Sequence, residues 1–142
     1  MDTKKKVFKL KVDQQSYSII AISSAESLLK LAWHINTALG IKLTEGESIH
    51  IPTAEEGTLN FPAHKYYNDA KETQYSLIKN RVDRALLVKS YSKVDFFFKI
   101  SGEDHSSTSL NCIKLIKTIP GIIAVIPIDI NKVRVFSVFD TV

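Results

Sequence analysis

The 142-residue chain reads as an α+β domain, an antiparallel or mixed sheet with two helices packed on one face. Three observations carry that reading. Two segments, 23–39 and 109–119, repeat apolar residues at the 3.6-residue period of an amphipathic helix. Each is flanked by runs of four to nine residues that alternate or are continuously apolar, which is strand behaviour. The composition, 44% apolar and 24% charged, is average for a globular protein, and the length suits a single domain over residues 1–142.

Along the chain, residues 6–12 (KVFKLKV) alternate and read as a strand, 13–16 as a turn, and 17–22 as a second strand that could close a hairpin with the first. Ser23-Ser24-Ala25-Glu26 has the spacing of a capping box, with Ser23 at the N-cap, and Gly40 supplies a stop after Leu39. Between them an apolar arc runs through Leu28, Leu31, Ala32, Ile35, Ala38 and Leu39 and continues to Leu29 and Trp33. Residues 47–51 form a strand and 52–58 a loop. Residues 59–67 form a strand that Pro62 confines to an edge or a bulge. After a turn at 68–72, residues 74–79 are a strand and 81–92 an irregular basic segment, with 85–88 extended.

Residues 94–100 (VDFFFKI) alternate strictly, placing Val94, Phe96, Phe98 and Ile100 on one face and Asp95, Phe97 and Lys99 on the other. A polar loop at 101–108 leads into the helix at 109–119, which Pro120-Gly121 ends. The continuously apolar 122–130 predicts a central strand covered on both faces, and 133–139 a last strand. The stretch IKTIPGIIAV at residues 116–125 resembles the helix-to-strand junction of ferredoxin-like regulatory modules such as ACT domains. That likeness implies ferredoxin-like elements, here with extra hairpins.

Charge and chemistry narrow the function classes. Residues 1–13, at +3, and 79–93, at +4, together exceed the net charge of +4, so the rest of the chain is slightly acidic. Such segments attract phosphates or acidic partners where they lie together, and otherwise keep exposed strands from pairing with other chains. A single cysteine builds neither an internal disulfide nor a thiolate metal cluster, and no spanning or secretory segment is visible, so a cytosolic protein without a membrane partner is expected. There is no GxSxG, P-loop, GxGxxG or HExxH motif, and the four histidines lack ligand spacing. No metal and no cofactor is implied. Cys112, within the apolar arc of the second helix, reads as a core residue.

Several residues stand out against this background. Asn36 falls inside the apolar arc of the first helix, where an amide needs partners, and is expected to clamp backbone of a neighbouring strand or turn. Trp33 is expected to cover the sheet edge with its indole N–H bonded. Asp95 is expected to pair with a basic residue, Arg81 or Arg84 being candidates. Phe97 beside Lys99, on the face without helices, predicts either a dimer interface or a platform for stacking bases.

The stretch VKSYSKVDF at residues 88–96 resembles a diverged form of the signature that names the IPExxxVDY family, small bacterial proteins of unknown function. The aromatic strand at 97–100 follows it, LAWHIN at 31–36 resembles the family's Leu-x-Trp-x-Leu/Ile-Asn helix, and LIKN at 77–80 its strand ending in Asn80. Val94, Asp95 and Phe96 match the second half of the signature; Val88, Lys89 and Ser90 stand where Ile, Pro and Glu would. The lost acidic residue implies a structural rather than a catalytic role for the motif. The resemblance implies no substrate and no cofactor.

The functional expectation is a non-catalytic domain that binds a small molecule or a protein partner, a homodimer being one form of the latter. The alternatives are a nucleic-acid-binding protein using segment 79–93, and an enzyme of unrecognised type. The enzyme requires Asp95, Asn36 and a basic residue to converge in one pocket.

Overall fold

A computed structural model describes residues 17–55, 57–131 and 138–140. The strand expected at 6–12 lies outside them, as does all but the end of the one expected at 133–139. In chain order the elements are β1 (Tyr17–Ser24), α1 (Leu28–Leu39), β2 (Thr44–Glu45), β3 (Ile49–Thr53), β4 (Gly57–Phe61), β5 (Ala63–Asn68), β6 (Thr73–Lys79), β7 (Arg81–Val82), β8 (Ala85–Leu86), β9 (Phe96–Ser101), α2 (His105–Ile116) and β10 (Ile122–Ile128).

Six strands form one antiparallel sheet in the order β10-β1-β9-β6-β5-β2. Because β1 is antiparallel to both β9 and β10, those two run parallel with β1 between them, joined through α2. By the same argument β1 and β6 run parallel around β9, joined through α1 and the β2–β5 insertion. Two interlocked split βαβ units of this kind are the ferredoxin-like arrangement. Strands β5 and β2 widen the sheet past β6, while β3–β4 and β7–β8 are separate hairpins.

Strand alternation divides the core into two layers. On one face Ile20, Phe98 and Leu77 stand side by side in register, and the helices cover them with Leu28, Leu31, Ala32 and Ile35 from α1 and Cys112, Ile113 and Ile116 from α2. On the other face Ala21, Phe97 and Ile78 are in register, covered by Val88, Val94 and Phe139. A one-residue slip of β9 would exchange the two sets, so register is fixed by burial on both faces. Both helices therefore lie on one face of an α+β sheet, as the sequence predicts. Among the described residues no helix is long and apolar enough to cross a membrane.

Local expectations are corrected in five places. The N-cap of α1 is Ser27, whose Oγ accepts from Lys30 N at 3.2 Å, because Ser23 and Ser24 belong to β1 and Ser24 Oγ donates to Gly121 O at 3.0 Å. Helix α2 starts at His105, four residues early. Thr108 N donates to Asp104 O to close its first turn, and the His105 ring is held by Ser18 Oγ at 2.7 Å; this tertiary tie outweighs the weak propensity of a serine-rich turn. Strand 59–67 is broken at Pro62 into β4 and β5, which join different sheets. Val94 precedes β9 and packs on the face opposite Phe96.

The fifth correction exchanges centre and edge. β10 is not central: among the described residues it pairs only with β1, leaving Ile123 75% and Ile126 53% exposed. β1 is the inner strand, with β9 on one side and β10 on the other along residues 19–22. Continuous apolar content decides neither lateral position nor cover: of the β10 residues only Val125 is buried.

Candidate functional site

The residues singled out by sequence separate into two places. The first is the loop from β6 to β9. Asn80, directly after β6, is fully buried, and its side chain makes three hydrogen bonds: Nδ2 donates to Tyr91 O at 3.0 Å and Val94 O at 2.7 Å, and Oδ1 accepts from Val88 N at 2.9 Å. Its backbone N–H donates to Asp95 O, and its carbonyl accepts from Leu87 N. Asp95 completes the knot. Its Oδ2 accepts from Ser24 N at 2.8 Å, and its N–H donates to Ile22 O, tying the loop to the end of β1.

The expected Asp95 partner is thus corrected. Among the described residues neither Arg81 nor Arg84 pairs with the carboxylate: Arg81 donates to Ser92 O, and Arg84 stands exposed at the β7–β8 turn. A carboxylate receiving a backbone N–H at the end of a strand has no need of a guanidinium.

Beneath this loop Phe97 is fully buried against Tyr91 and Phe139, with ring centroids 6.1 and 5.3 Å away. It is neither an interface ring nor a stacking platform, because the chain covers it with its own segments. Lys99 is 4% exposed; its Nζ donates to Phe139 O at 2.5 Å and lies 4.5 Å from the centroid of the Tyr17 ring. Tyr17 Oη in turn donates to Asp140. Both residues are thereby removed from any nucleic-acid surface.

Burial pushes the Lys99 ammonium down to about 8, partly opposed by the Asp140 charge. In the unfolded chain the group titrates near 10.5, so between these values the unfolded state binds more protons and stability rises with pH. From pH 9 upward Cys112, pushed up to about 11 by burial, and Tyr17, raised by burial and by Asp140, act in the opposite sense. The lysine contribution is therefore read as a difference. Relative to Lys99→Met, the wild type should gain about 2 kcal/mol as pH rises from about 8 toward 10.5, measured by urea unfolding at several pH values. A pH-independent difference would contradict a buried ammonium.

The second place is a groove between α1 and the β2–β5 edge, of about 520 Å³. Its walls include Leu29, Trp33 and Asn36 from α1, and Leu43, Glu45 and His64 from the strand side. The Asn36 amide locks the two sides together: Leu43 N donates to Oδ1 at 2.7 Å, and Nδ2 donates to Leu43 O at 3.1 Å. Leu43 immediately precedes β2, so this clamp sets where Glu45 stands. Glu45 pairs directly across the ladder with His64, which puts their side chains on the same side of the sheet within about 5 Å at Cβ.

Two features of the groove stand out among the described residues. Leu29 is 72% and Trp33 63% exposed, one turn apart on α1. The Trp33 indole leans edge-on against His34 and its N–H makes no hydrogen bond among the described residues, which corrects the expected bonded cover of the sheet edge. His64 Nδ1 is shut off from water and has no hydrogen-bond partner among the described residues. An orphaned buried polar atom costs about 1–3 kcal/mol unless a partner arrives. Burial lowers the His64 pKa, with Glu45 opposing, so the ring is neutral at pH 7.

The structure therefore joins Trp33 and Asn36 in the groove, and Asn80, Arg81 and Asp95 in the loop. Phe97 and Lys99 lie buried, and Arg84 stands apart. Asp95 does not line the groove, so the convergence of Asp95 and Asn36 required for an enzyme is not present there. Among the described residues no group of three or more His, Cys, Asp or Glu side chains gathers to hold a metal ion.

Sequence reading missed Glu45 and His64. Their only visible signal was the breadth of the α1 apolar arc, which exceeds what one sheet covers and so leaves Leu29 and Trp33 over. No model of a known protein family matches the chain. No curated protein is significantly similar to it.

Proposed function

We propose that the chain is a non-catalytic binding domain that takes a small molecule in the groove between α1 and the β2–β5 edge. The observation that carries this reading is the exposure of Trp33 and Leu29, side by side on α1, on the wall of one concavity that also carries His64 and Glu45. A volume of about 520 Å³ lies within the range of ligand sites, and a mostly apolar lining with a few polar groups is their usual make-up. Rigidity supports the same reading, because Asn36 holds both walls in a fixed relation before any ligand arrives.

The resemblance to the IPExxxVDY family enters as support for the division of labour. In this reading the signature-like segment 88–96 fixes the loop on the far face, and the Trp33–Asn36 helix segment serves binding.

Trp33 is the single tryptophan, so intrinsic fluorescence reports on the groove directly. Titration with a protein-free small-molecule extract of the host cells should give a saturable change in emission. Emission that does not saturate, or does not change beyond inner-filter correction, would overturn the proposal.

A further inference from the structure

We infer that the groove selects an organic cation, an amine protonated at neutral pH, with its apolar body along Leu29 and its charge facing the Trp33 ring and the Glu45 carboxylate. The inference rests on the binding reading above and names the ligand class for the same site.

Charge complementarity points to that class. Among the described residues lining the groove, Glu45 alone carries a formal charge at pH 7. Its exposed carboxylate makes no salt bridge and no hydrogen bond with another described residue. His64, directly across the ladder, leaves that charge in place because its ring is neutral. No lysine or arginine is among the lining residues: Lys30 pairs with Glu26 at 3.4 Å, and Lys65 is the ladder partner of Thr44. By strand alternation the Lys65 side chain therefore leaves the sheet on the side opposite His64 and Glu45. The basic segment 79–93 packs through Val88 and Tyr91 on the second face, whereas α1 lies on the first.

Trp33 supplies the other half of the recognition. Its ring is exposed, and the negative π face of an indole attracts a cation within about 6 Å of the ring centroid more strongly than the other aromatic side chains do. A cation is thus drawn by both the ring and the carboxylate. Carboxylates and phosphates are repelled by both, and a neutral molecule gains only the apolar contact with Leu29 and the indole.

The test uses three probes built on one ring: benzylammonium, the neutral benzyl alcohol and the anion benzoate. Trp33 emission of the full chain is followed at neutral pH and low salt, in wild type, Glu45→Gln and Glu45→Lys. Glu45 is exposed, so both variants should fold, and a circular dichroism spectrum and unfolding midpoint near wild type check this. The expected result is saturable binding of benzylammonium, at least about fivefold tighter than benzyl alcohol, with benzoate weakest. The preference for the ammonium should fall at least about twofold in Glu45→Gln, further in Glu45→Lys, and on adding salt. Equal affinity of benzylammonium and benzyl alcohol, or a preference unchanged in both folded variants, would overturn the inference. Saturation by the host extract with no response to any probe, or with benzoate bound best, would overturn the ligand class while leaving the groove as a binding site. No response to extract or probes would remove both.

Discussion

Asn80→Ala should destabilise the chain by roughly 4 kcal/mol, a large share of the 5–15 kcal/mol that holds a typical domain together. Three hydrogen bonds vanish at once, and Val88 N–H, Tyr91 O and Val94 O lose the side chain that satisfies them. Val88 N–H and Val94 O lie in buried bonds, where losing a partner costs most. The loop that covers Phe97 would then come away from the second face. Urea unfolding gives the stability change, and amide hydrogen exchange locates it: Val88 should lose protection first, since its N–H donates to the Asn80 side chain. Asn80→Ala with a midpoint near wild type would show that the loop holds itself without this side chain.

Phe97→Ala should cost about 3–5 kcal/mol, and Phe97→Asp should prevent folding at ordinary temperature. The ring is fully buried, in register between Ala21 and Ile78 and flanked by Tyr91 and Phe139, so truncation leaves a cavity bounded by segments from four parts of the chain. A charge in its place would have no partner. Were Phe97 an interface ring, Phe97→Asp would instead yield a well-folded protein of lower mass. Circular dichroism with sedimentation distinguishes the two: loss of structure is expected, and a folded, smaller species would contradict the intramolecular cover.

These two residues also show where the sequence was legible. Alternation in β9 correctly sorted Phe96, Phe98 and Ile100 from Phe97 and Lys99, because the pleat has a strict period of two. What covers each face is a tertiary fact. The second face is closed by Val88, Val94 and Phe139, which have no periodic relation to β9, and so Phe97 looked available for a partner. The helices were readable from their apolar arcs, and their shared face followed from one sheet having to bury both. The exchange of β1 and β10 between centre and edge was not readable, because strand order depends on crossovers rather than on composition.

The candidate site was legible to a similar, partial degree. Asn36 announced itself as an amide within an apolar arc, and Trp33 as the outer limit of that arc. His64 and Glu45 did not, since each is an ordinary polar residue in a short strand until the β2–β5 register sets them side by side. The identity of a groove depends on which strands become neighbours, and a two-residue strand such as β2 carries almost no sequence signal.

The central claim, that a small molecule occupies the groove beside Trp33, is tested most directly by native mass spectrometry of the chain purified from its host, wild type beside Trp33→Ala. Trp33 is exposed, so its removal should leave the fold intact. The account predicts a wild-type peak heavier than the bare chain by one small molecule, and Trp33→Ala at the bare mass. An adduct that persists in Trp33→Ala, or wild type found only as bare chain or as an adduct-free dimer, would contradict it.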